Sequence, residues 1–83
     1  MAEFRFIWAD ETIEHLADHG LTTDDFEEVV SFPEDVDISR SSGLTAAFGH
    51  TVDGRYIIAI FNVIDELTIE PVTAYEVSEP GRR

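Results

Sequence analysis

Two histidines stand four residues apart in "IEHLADHG", residues 13–20, with Asp18 between them. On a helix, positions i and i+4 share a face, so His15 and His19 can reach one ion. "HLADH" also has the outline of the inverted zincin pattern H-x-x-E-H, with Asp18 in place of the Glu. That carboxylate is one methylene short, and a catalytic zinc needs a third protein ligand. His50 is the remaining histidine, and nothing in the spacing brings it there. The plainer reading of His19 is electrostatic, because an imidazolium near a helix C-terminus meets the negative end of the helix dipole. No metal and no cofactor is therefore expected, with His15 and His19 as the residual metal candidates.

A second set lies on the later part of the chain: Arg40, His50, Arg55, Tyr56 and Tyr75. Cleavage of RNA through its 2′-hydroxyl needs a base for that proton, an acid for the leaving 5′-oxygen and a cation facing the developing phosphorane charge. Histidine serves as acid or base near neutral pH, and arginine grips phosphate through two donors. The inventory suffices for that chemistry. The alternative is that Tyr56 and Tyr75 are core or rim aromatics, and that Arg40 and Arg55 are surface charges at strand ends. Other chemistries have less behind them. There is no cysteine, no serine in a G-x-S-x-G elbow and no glycine-rich phosphate loop.

Charge limits the partners. Eighteen Asp and Glu against five Lys and Arg leave a formal charge of −13 in 83 residues. Residues 1–39 hold twelve acids and one Arg, a net −11, whereas residues 40–83 hold six acids and four Arg, a net −2. The first half should repel phosphate backbones and attract a basic protein. DNA binding by the chain on its own is not expected. A composition of 43% hydrophobic and 28% charged residues is that of a globular domain, neither disordered nor membrane-spanning. The N-terminus turns acidic where a secretory apolar region would continue, so cytoplasmic residence is the expectation.

These residues must be positioned by one small domain spanning 1–83, with an ordered core over about 4–77 and a flexible tail at 78–83. "FRFIW" alternates as a half-buried strand does. Asp10 is a candidate N-cap for a helix over 10–19, with Ile13, Leu16 and Ala17 as its apolar stripe and Gly20 as its left-handed exit. Thr22 and Asp25 have capping-box spacing, and Leu21 with Phe26 has the spacing of a hydrophobic staple; Pro33 stops the second helix. Strand signals follow. "VDISR" is short, "LTAAFGHT" alternates, Asp53-Gly54 reads as a two-residue hairpin turn, and "RYIIAIFNVI" is apolar on both faces and so central. "LTIEPVTAYEV" is expected to hold Leu67, Ile69, Pro71, Thr73, Tyr75 and Val77 on one side, with Pro71 at an edge or a bulge. The expectation is an α+β domain of order β-α-α-β-β-β-β, its two helices on one face of a four- to five-stranded, largely antiparallel sheet.

The order of elements and several phrases, "EHLADHGLTTDDFEEVV", "AFGHTVDGRYIIAIF" and "PVTAYEV", resemble the BrnT family. These are small toxins of bacterial type II toxin–antitoxin pairs with a RelE-like ribonuclease fold. The likeness runs over most of residues 4–77, and the joint order of its short motifs carries it. It implies a toxin that cleaves RNA without a metal and is held by an antitoxin. His19, on the family's "HG" histidine, or His50 would act as acid or base. Arg40 and Arg55 would grip phosphate, and Tyr75 would donate a hydrogen bond. The chain departs from the family where "G-R-T" is here Gly49-His50-Thr51, where "S-A-R" is Thr73-Ala74-Tyr75, and where a lysine before "HG" is Asp18. Each change removes a cation. The rival reading on the same fold is a non-catalytic acidic interaction module that docks a basic partner on its helical face.

Overall fold

In a computed structural model, which describes residues 4–39 and 42–79, seven elements follow one another: β1 (Arg5–Phe6), α1 (Asp10–Asp18), α2 (Thr23–Ser31), β2 (Asp35–Ile38), β3 (Thr45–His50), β4 (Tyr56–Val63) and β5 (Thr68–Glu76). The strands form one five-stranded sheet in the order β1-β5-β4-β3-β2. Every pairing is antiparallel except that of β1, which lies parallel to β5. The α+β class and the order β-α-α-β-β-β-β are as the sequence led one to expect, with β4 at the centre. Arg40 and most of the tail expected at 78–83 lie outside the described residues.

The α1–α2 junction is set by local chemistry. Asp10 is not the N-cap of α1. Ala9 takes that place in an extended conformation without a side-chain cap, and Asp10 and Glu11 fall in the first turn, where their charge favours the positive end of the dipole. At the other end, Gly20 N–H bonds the carbonyl of Ala17 and Leu21 N–H that of Leu16, each at 2.9 Å. This is a Schellman closure, and it needs the left-handed backbone that Gly20 supplies at φ 72°. Leu21 then packs inward with Leu16 and Phe26. The capping box forms: Asp25 N–H donates to Thr22 Oγ1 at 3.2 Å, and Thr22 N–H to Asp25 Oδ2 at 3.0 Å.

Both helices bury their apolar residues against one side of the sheet. Leu16, Leu21, Phe26, Val29 and Val30 meet Ala47, Ile57, Ala59, Phe61, Ile69 and Ala74. Phe26 is the hub, its ring 5.2 Å from Trp8 and about 6.3 Å from Phe6 and Phe61 between centroids, all edge-on. Trp8 Nε1–H donates to Glu27 at 2.8 Å, which ties the segment after β1 to α2. The stripe expected on α1 is narrower than read: Leu16 is buried, whereas Ile13 is 39% exposed and Ala17 is exposed. The helix packs mainly on β5, so only one of its faces finds cover.

Two strand expectations are corrected. The β3–β4 connection is not a two-residue turn. Gly54 N–H bonds the Thr51 carbonyl and Thr51 N–H the Arg55 carbonyl, and of the loop residues only Gly54 has positive φ, 90°. The loop therefore holds three residues with a left-handed glycine last, since a two-residue type I′ turn would need Asp53 at positive φ as well. In β5 the alternation breaks. Phe61 faces Pro71, but Ile60 faces Thr73, so Val72 is an extra residue beside the proline that cannot join the ladder. Past this bulge Ala74 points into the core, and Thr73 and Tyr75 turn away from it. Replacing Phe26 with alanine should lower unfolding free energy by about 3–5 kcal/mol, whereas Val52→Ala on the exposed turn should stay within about 0.5 kcal/mol, both read from urea midpoints.

Candidate functional site

Tyr75 lies off the core face of β5, and its ring centroid is 6.1 Å from that of His19 at the end of α1. His15, one turn earlier, stands edge-on to His19 at 5.1 Å between ring centroids. These three line an open groove with Glu11, Thr12, Val72 and Thr73. Thr73 Oγ1 is buried there without a hydrogen-bond partner. Thus His19 and Tyr75, from elements far apart in sequence, share one surface, and His15 joins them. Among the described residues no three His, Asp or Glu side chains are grouped as a metal ion would require.

Arg55 sits at the edge of the same corner, but its guanidinium is engaged. Nη1–H donates to the Gly20 carbonyl at 2.9 Å, Nε–H to Asp53 Oδ2 at 3.1 Å, and Nη2 lies 3.6 Å from Asp25. Gly20 is required here by its left-handed backbone, and a Cβ would stand at an ordinary contact distance of 3.4 Å from Nη1. Asp53 also accepts from the Thr51 hydroxyl. That bond, followed by the one from Arg55, holds the Asp53 carboxyl below its usual range. Two carboxylates facing one guanidinium leave no net positive charge to offer a phosphate.

His50 stands apart, opposite Tyr56 at the start of the β3–β4 hairpin. Its Nδ1 pairs with Glu34, and Nε2 lies 3.1 Å from Glu79 Oε1. A neutral imidazole has one N–H and would turn a lone pair toward one of these carboxylates; the imidazolium satisfies both. The bond to Glu34 first, and that to Glu79 second, raise the His50 pKa above its ordinary 6.5. Tyr56 beneath it, 5.0 Å between ring centroids, is pushed up chiefly by burial and stays a phenol. Arg5 lies at the far end of β5 from Tyr75, paired with Thr68. Sequence reasoning missed Glu34, Glu79, Asp25 and the Gly20 carbonyl, the groups that occupy His50 and Arg55. Their partners lie 16 to 35 residues away along the chain, and no local spacing announces them.

Arg55→Ala should destabilise the fold by about 1–2 kcal/mol, and Arg55→Lys should recover less than half of that, since an ammonium cannot serve all three partners. For His50 the folded-state pKa is raised, so its contribution is complete below the ordinary 6.5 and is lost as pH rises through the folded value. The stability difference between wild type and His50→Gln should therefore be full below about pH 6 and shrink as pH rises above the ordinary 6.5 in parallel urea titrations.

Protein-family models, curated proteins and solved structures yield no match to this chain, so the reading of the site rests on its own geometry.

Proposed function

We propose that this chain is a non-catalytic, acidic protein-interaction module that binds a basic partner segment. The observation that carries the reading is cancellation of charge: Arg55 faces Asp25 and Asp53, and His50 faces Glu34 and Glu79. RNA binding depends on cations left free to displace the counterions of phosphate, and a chain of charge −13 with its central guanidinium neutralised works against that. The same field accelerates and orients approach of a basic protein.

A second reading, that of a BrnT-like toxin cutting RNA, is favoured by one specific observation. His15, His19 and Tyr75 share an open groove, and Arg55 binds the carbonyl next to His19. Two imidazoles in one groove supply an acid and a base; among the described residues no cation for the phosphorane lines it. The β-α-α-β-β-β-β order is compatible with the RelE-like fold that the resemblance implies.

Expression of the chain alone separates the two. The interaction reading predicts normal growth and intact cellular RNA, with retention of a basic peptide that weakens steeply between about 50 mM and about 500 mM salt. Growth arrest with RNA cleavage, abolished by His19→Ala with His15→Ala, would overturn it in favour of the toxin.

A further inference from the structure

The sequence Asp35-Val36-Asp37-Ile38 forms β2, the last strand of the sheet, paired on one side only among the described residues. Ser39 N–H bonds the Leu44 carbonyl on the β3 side, so by the two-residue period the N–H groups of Asp37 and Asp35 also face β3. Those of Val36 and Ile38 point outward. The outward donors are met by the chain's own acids: Val36 N–H donates to Asp35 Oδ1 and Ile38 N–H to Asp37 Oδ1, each at 2.9 Å. Val36 and Ile38 are 51% and 64% exposed although they lie on the helix side of the sheet, because α2 ends at Ser31 and does not reach them. Beside Val36, Val30, Pro33 and Val63 help to line an apolar cavity of about 240 Å³.

We propose that β2 is a strand-addition edge for an extended segment of a basic partner in which cationic and apolar residues alternate. This rests on the interaction reading and gives it a site and a recognition code. An added strand would take over the outward N–H and carbonyl groups of Val36 and Ile38. The displaced Asp35 and Asp37 carboxylates then meet cations opposite them on one face, while apolar residues opposite Val36 and Ile38 extend the covered surface on the other. The exchange loses no hydrogen bond, since each backbone donor trades a carboxylate for a carbonyl and each carboxylate gains a cation. A second copy of this chain is disfavoured, because it would bring both strands' Asp35 and Asp37 onto one face between partners of −13 each. A helical partner would leave the edge donors unused.

The test is an amide NMR titration of the full chain with two capped hexapeptides of one composition, Arg-Val-Arg-Val-Arg-Val and the block order Arg-Arg-Arg-Val-Val-Val. The proposal expects the alternating peptide to bind about tenfold more tightly and to slow hydrogen exchange at Val36 and Ile38. Val36→Pro removes an outward donor but no donor to β3, so the variant should keep its native spectrum and lose the tenfold preference. If that variant misfolds, Asp35→Asn with Asp37→Asn should lose the preference instead. Equal affinity for the two peptides, with shifts confined to α2, would overturn strand addition and leave the interaction reading standing. If neither peptide bound at low salt, both would be overturned.

Discussion

The Arg55 guanidinium bridges three pieces of chain that meet at one corner of the fold: the α1 exit at Gly20, the first turn of α2 at Asp25, and the hairpin loop at Asp53. Its planar donors suit this task, reaching a carbonyl and two carboxylates from one side chain. The bond to the Gly20 carbonyl adds to the closure and core packing that already hold the end of α1, beside His19. The contacts of Arg55 also consume the positive charge. A residue that by type is a phosphate grip therefore acts as a clasp, and the groove beside it is left with imidazoles, a phenol and Glu11.

The rest of the surface chemistry follows the same pattern of acids answering whatever cation or donor is near. His50 is held between Glu34 and Glu79, and the free edge of β2 is covered by Asp35 and Asp37. Exposed strand edges invite unwanted pairing, and carboxylates along them discourage copies of the same acidic chain. They do not discourage a cationic partner.

What was legible in the sequence was local. The Thr22–Asp25 capping box, the Gly20 exit and the central place of β4 depend on residues within a few positions of one another, and each formed as read. Pro71 announced a bulge or an edge, but its consequence was not visible. One extra residue, Val72, reverses which side of β5 faces the core, so that Ala74 is buried and Tyr75 is not. Asp10 had the right chemistry for a cap and was displaced by one position, because Ala9 already adopts the extended conformation of the cap. The partners of Arg55 and His50 were beyond reach, since they are set by the sheet's register and by the packing of α1 and α2. Arg40, on which part of the phosphate-binding expectation rested, lies outside the described residues.

The Arg55 guanidinium is committed to the protein's own carbonyl and carboxylates. Its Nε–H resonance, followed by ¹⁵N NMR while a short single-stranded RNA is added at low salt, tests this directly. A committed guanidinium gives a slowly exchanging Nε–H whose position does not move as RNA is added. A saturating shift of that resonance, with exchange as fast as that of a free guanidinium, would contradict it.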